Sequence, residues 1–294
     1  MTNPTSSAPI RPPLHGTRVV SLALNLPGPA ALMRLQALGA TCSKIEPPAG
    51  DPMARYSPAA YAALHTGLQV VTADLKHAEG QQSLHALLTH ADVLLTSFRP
   101  SALHKLGLGW TALSAAHPHL SCVCIVGAPG ERAEEAGHDL TYMAEAGLVP
   151  DLALPPTLYA DMAGALATSE AVLQAVLARH TQGQGVHLEV ALSDAARWLA
   201  LPRQWALTVP NGDVGGAHAG YRVYPCADGR VALAALEPHF ARALCQAAGL
   251  PTETAHRMHA PGTHTELANW LTRRTRAELD TLATEHDIPL FTLV

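Results

Sequence analysis

Between Arg18 and Val126 short apolar runs alternate with stretches whose apolar residues recur at helical spacing. Arg18–Leu24, Cys42–Ile45, Val70–Leu75 and Asp92–Leu95 read as strands; Pro29–Leu38, opened by proline, and Gln81–His90 read as helices. Leu120–Val126 is apolar without alternation, the pattern of a strand covered on both faces. Strand and helix in repeated succession predict an α/β fold built on a doubly wound parallel sheet.

Asp161–His180 continues this pattern as a long alanine-rich helix, and Val186–Ala191 as a further strand. Beyond Asn211 the character changes. Asp213–Gly220 is a glycine-rich break, and Tyr221–Cys226 and Arg230–Ala235 flank Ala-Asp-Gly, a hairpin signal. Helices are expected at Pro238–Ala248 and Thr265–Glu285, then a short strand at Pro289–Val294. The pattern divides the chain into an unstructured lead-in (1–15), an α/β domain (16–210) and a smaller α+β domain (211–294).

The chain has 294 residues, 48% hydrophobic and 15% charged, with a net charge of −5. That balance excludes a disordered chain and argues against a general nucleic-acid binder, which carries a basic excess. No apolar run reaches the length of a membrane span. The start, rich in Thr, Ser and Pro, lacks the apolar core of a signal peptide. Five cysteines, an odd number spread over a long chain, point to reduced thiols in a cytoplasmic protein. Cys122 and Cys124 share one face of the apolar strand and lack the spacing of a zinc pair; His256, His259 and His264 stand in a Pro/Gly-containing stretch without carboxylates beside them. No metal is expected at either place.

The candidate chemistry lies in three stretches: Ala136–Asp139, Tyr159–Gly164 and Leu236–Pro238. His138, Asp161 and Glu237 offer an imidazole and two carboxylates, groups able to move a proton on and off a carbon acid. Each also has a structural reading. His138 suits a loop histidine, Asp161 a residue satisfying free amides at a helix start, and Glu237 a position just before a proline-opened helix.

Other stretches in the same order resemble the family III CoA transferases, the CaiB/BaiF group that includes the α-methylacyl-CoA racemases. They are Pro27-Gly28-Pro29, Leu38-Gly39-Ala40, Lys44–Pro52, Ala73-Asp74-Leu75-Lys76, Ala91–Leu95, Phe98-Arg99-Pro100 and Leu106-Gly107-Leu108. Gly137-His138-Asp139-Leu140-Thr141-Tyr142 is most similar to the racemase branch, which carries histidine before the aspartate. The resemblance implies an acyl-CoA enzyme whose favoured reaction is racemisation of a 2-methylacyl-CoA by 1,1-proton transfer. It implies His138 and Asp161 as the proton-transfer pair, Glu237 as a glutamate near the histidine, and Asp139 as nucleophile if the chain instead transfers CoA between acids. A third reading is a catalytically inactive relative that binds acyl-CoA or serves as a subunit beside a full-length partner.

By the same resemblance CoA, arriving as part of the substrate rather than as a resident cofactor, would be held by Ala73, Asp74, Leu75, Lys76, Arg99, Gly137, Leu140, Thr141 and Tyr142. Three departures bear on this. Gly67-Leu68-Gln69-Val70 stands where relatives have two cations, Pro47 replaces an arginine common in racemases, and Gly127-Ala128-Pro129-Gly130 shortens a glycine loop. The resemblance implies a homodimer or a dimer with a longer relative; the sequence stops within the small domain where relatives run on, so the expected interlock of such dimers would be incomplete.

Overall fold

The computed structural model describes residues 11–294, so most of the expected lead-in lies outside the described residues. The described residues form two compact units, 11–200 and 201–294.

The first unit follows the order β1 (Arg18–Ser21), α1 (Pro27–Ala37), β2 (Thr41–Glu46), α2 (Met53–Tyr56), α3 (Pro58–Leu64), β3 (Gln69–Thr72), α4 (Ala78–Leu88), β4 (Val93–Thr96), α5 (Pro100–Lys105), α6 (Trp110–Ala116), β5 (Ser121–Val126), α7 (Asp139–Glu145), α8 (Tyr159–Gln182) and β6 (His187–Ala191), then the start of α9 (Leu192–Gln204). The six strands form one parallel sheet in the order β3-β2-β1-β4-β5-β6. Its centre is buried on both faces. Val19, Val93, Leu95, Val123 and Ile125 join one core with α1, α7 and α8, while Val20, Leu94, Cys122 and Cys124 join a second with α4, α5 and α6. This explains the unbroken apolar run of β5, buried at all six positions. The edge strand β3 has no buried residue.

The order in which strands are added switches from one side of β1 to the other between β1 and β4, and crevices outside the carboxyl ends of strands at such a point are where doubly wound folds bind ligands. Asn25, in the turn after β1, has φ 63°, a conformation rare outside glycine. Its N–H donates to both carboxylate oxygens of Asp51, 3.2 and 3.1 Å away, which holds the turn.

The second unit contains β7 (Tyr221–Cys226), β8 (Gly229–Ala234), α10 (Pro238–Ala247), α11 (Pro261–Leu271), α12 (Arg276–His286) and β9 (Leu290–Leu293). The three strands form an antiparallel sheet, β7-β8-β9, with the expected hairpin between its first two members. Leu233, Leu244, Leu267, Leu271 and Leu279 are buried in its core. The single helix expected at 265–285 is two helices. The reason is a reciprocal cap: Thr275 Oγ1 accepts from the Glu278 N–H at 3.3 Å and the Glu278 carboxylate accepts from the Thr275 N–H at 2.8 Å, which starts a new helix.

Candidate active site

The carboxyl ends of β1, β4 and β5 open onto a cavity of about 530 Å³ in the first unit. Leu24–Pro27 line it after β1, Ser97–Arg99 after β4, and Ile125–Gly127 at the end of β5; Gly137–Leu140, Tyr142, Leu158 and Asp161 complete the wall. His138, Asp139 and Asp161 therefore face one cavity, although 22 residues separate the two carboxylates in sequence.

Short-range forces place each of them. His138 is the N-terminal flanking residue of α7, where the Thr141 hydroxyl accepts its N–H at 3.0 Å and donates back to its carbonyl at 2.8 Å. The backbone is thereby held while the imidazole stays exposed. Asp139 is buried, and its Oδ1 accepts the N–H of Asp161 at 2.9 Å. One carboxylate thus satisfies a free amide in the first turn of α8 and ties that helix to α7. Tyr142 packs its hydroxyl against Gly127 and Gly137, and a Cβ on either glycine would collide with it.

Asp161 is half-buried in the third position of α8, where the helix dipole favours an ionised carboxylate. Two effects oppose this and win. Burial is the larger, and the negative charge of Asp139 is the second; His138 pulls weakly the other way, and the Asp161 carboxyl is raised to about 6. Its charge is also felt at the hydroxyls of Tyr56 and Tyr142, both raised chiefly by burial. A carboxyl that titrates near neutrality can both accept and return a proton at working pH, whereas one in the ordinary carboxylate range rarely holds a proton there.

A second cavity of about 710 Å³ adjoins the first through Phe98 and Arg99, which line both. Lys76, Arg99 and Lys105 bring three cations to it, with His77 and Gln81. Gln81 is held in place by donating to the carbonyls of Leu75 and Leu106 at 2.7 and 3.0 Å. Such a cluster of cations beside an apolar ring suits a phosphorylated ligand.

The residues expected from sequence distribute as follows. Gly137, His138, Asp139, Leu140, Tyr142 and Asp161 line the first cavity, Leu75 and Lys76 the second, and Arg99 both. Asp74 accepts the Lys76 N–H at 3.0 Å and so shapes the turn that presents it. Ala73 packs on the second core, and Thr141 serves the backbone of His138. Glu237 belongs to the second unit, exposed, at the N-terminal end of α10. Asn25, Tyr56, Glu135 and Lys105, none of them expected from the sequence, also line these cavities, as does Phe98 of the family-like Phe98-Arg99-Pro100 stretch. Of the four, Lys105 carried a signal: it is a cation at the end of a proline-opened helix that starts beside Arg99.

A model of the family described as CoA-transferase family III matches residues 14–293. The probable fatty acyl-CoA transferase Rv3272 of Mycobacterium tuberculosis is 32% identical over 206 residues, which cover 63% of this chain and 51% of that protein. The chain thus spans about half the length of that relative in the match. The α-methylacyl-CoA racemase of Homo sapiens is 29% identical, with 82% of this chain and 66% of the racemase covered. A crystal structure of a variant of Rv3272 superposes with a TM-score of 0.81 at 26% identity, covering 96% of this chain and 82% of that one.

Proposed function

Because the chain belongs to CoA-transferase family III, we propose that it acts on acyl-CoA thioesters and that its reaction is racemisation of a 2-methylacyl-CoA by 1,1-proton transfer. The observation that carries this reading is the Asp161 carboxyl, raised to about 6 within a cavity that it shares with His138. An α-proton beside a thioester leaves to a base on one face and returns from an acid on the other. A neutral imidazole and a carboxylic acid exchange these parts as the substrate changes hand.

In one direction the His138 imidazole takes the C2 proton and the Asp161 carboxyl delivers a proton to the opposite face. In the other the Asp161 carboxylate takes the proton and the imidazolium returns one. Between the two steps negative charge rests on the thioester oxygen. Lys76, Arg99 and Lys105 supply charge for the phosphates of CoA, with the thioester reaching the first cavity past Phe98 and Arg99. The supporting experiment is C2 hydrogen exchange: a 2-methylacyl-CoA incubated with the protein in heavy water incorporates deuterium without any second acid present.

Buried Asp139, which lines the same cavity, favours one rival. In CoA transfer its carboxylate attacks the thioester carbonyl and CoA leaves as thiolate. The mixed anhydride is then attacked by that thiolate, giving an aspartyl-CoA thioester and the free acid. Asp139→Asn separates the two reactions. Asparagine keeps an oxygen to accept the Asp161 N–H and loses both nucleophile and charge. Under racemase chemistry exchange persists, and the pH midpoint assigned to Asp161 moves below about 6 because one of its two raising causes is gone. With Asp161 as base the rate rises through that midpoint, and with Asp161 as acid it falls, so opposite enantiomers shift on opposite limbs. Under transfer chemistry activity requires an acceptor acid, yields a hydroxylamine-sensitive adduct on Asp139, and disappears in the variant.

A further inference from the structure

Two groups of metal-ligand side chains converge among the described residues. One of them, Glu46, Asp51 and His65, already surrounds a cation, since the Lys44 ammonium lies 3.0, 2.5 and 2.9 Å from them. The other, Cys122, Cys124 and His187, encloses none and lies outside both cavities described above.

Cys122 and Cys124 are two positions apart on β5, which separates their backbones by about 6.6–6.8 Å. Their sulfurs nevertheless approach to 3.6 Å, so both side chains lean toward one point. His187 comes from the neighbouring strand, in register with Cys122, and its Nε2 is 3.4 Å from Cys124 Sγ. All three ligand atoms lie within 4.8 Å of one another. Tetrahedral zinc, with Zn–S about 2.3 Å and Zn–N about 2.0–2.1 Å, separates two sulfurs by about 3.8 Å and sulfur from nitrogen by about 3.6 Å. The sulfur–sulfur edge of 3.6 Å and the Cys124–His187 edge of 3.4 Å are each about 0.2 Å from those values. Trp110 stacks on the His187 ring, with centroids 5.6 Å apart and planes at 19°, which fixes the imidazole.

We propose that Cys122, Cys124 and His187 form a binding site for a thiophilic d¹⁰ cation, Zn²⁺, with a fourth position open on the exposed side of His187. Binding forms two Zn–S bonds and one Zn–N bond and releases the two thiol protons to solvent. Two thiolates and a neutral imidazole cancel the dication, so the centre is neutral where it meets the apolar core around Leu94 and Leu113. The metal ties β6, the edge strand of the sheet, to buried β5. The absence of a zinc-type spacing within β5 does not bear on this geometry, because the third ligand arrives from another strand 63 residues on.

Co²⁺ titrated into the metal-free, reduced 294-residue chain tests the site. Seventeen histidines bind cobalt loosely without sulfur, so the readout is the sulfur-to-cobalt charge-transfer band in the near ultraviolet. The expected result is one equivalent of cobalt bound with that band, displaced by Zn²⁺, and a Tm raised by Zn²⁺. Cys124→Ser abolishes the band. His187→Ala, at an exposed position that leaves the core intact, weakens Zn²⁺ binding by roughly tenfold or more and removes the Tm rise. A parent chain without the band overturns the proposal, and so does a band unchanged in both variants.

Discussion

Replacing His138 by alanine is expected to lower C2 deuterium exchange on a 2-methylacyl-CoA by roughly 10²–10⁴-fold, the range that one positioned acid–base group contributes. The fold has little reason to respond. The imidazole is exposed, and the helix start beside it is held by Thr141 and by backbone groups, so the unfolding midpoint stays within experimental error of the parent. Asp161→Asn is expected to cause a loss of the same order, because an amide neither takes nor returns a proton near neutral pH. In that variant the limb of the pH profile centred near 6 vanishes, which a merely structural role for Asp161 would not produce. Measuring initial exchange rates of the parent and both variants from pH 5 to pH 8 checks the assignment. Exchange within twofold of the parent in His138→Ala would exclude the imidazole from the reaction.

The largest effect on stability is expected at Lys44, whose side chain has no exposure at all. Its ammonium pairs with Asp51 Oδ2 at 2.5 Å and Glu46 Oε1 at 3.0 Å, and hydrogen-bonds His65 Nε2 at 2.9 Å. Burial, the larger effect, and the ammonium itself lower the His65 pKa, so the ring is neutral at pH 7. It accepts from Lys44 through Nε2, and its Nδ1–H donates to the Tyr61 carbonyl at 2.6 Å. Lys44→Ala leaves two buried carboxylates without their cation. Breaking a buried pair in this way costs about 3–5 kcal/mol, more than the Coulomb gain of the intact pair would indicate, because an uncompensated charge stays behind.

Urea unfolding should therefore show a midpoint shifted far to lower denaturant at pH 7. A deficit under about 1 kcal/mol would count against this network. The defect also reaches the active site, since Asp51 holds the Asn25 turn on the cavity wall.

Much of the fold was legible because its causes are local. The unbroken apolar run that became β5 and the alternation of strand and helix predicted a parallel doubly wound sheet, and Ala-Asp-Gly placed the hairpin of β7 and β8. The helix expected at 265–285 failed where a local signal was overlooked: Thr275 and Glu278 stand three apart, as a reciprocal cap requires. The short helices α2, α3, α5 and α6 gave too few turns for any periodicity to register.

The order of residues by itself determined the family, the layered architecture and the identity of His138, Asp139 and Asp161 as groups worth watching. Those depend on residue type, spacing and pattern, all of which survive in one dimension. Only the tertiary structure decided that burial and Asp139 raise Asp161 against the pull of its helix, that Lys105 joins Lys76 and Arg99 around one cavity, and that His187 meets two cysteines from the next strand. Each of these is a through-space effect between segments far apart in sequence, and electrostatic and ligand geometry depend on distance in the folded chain rather than along it.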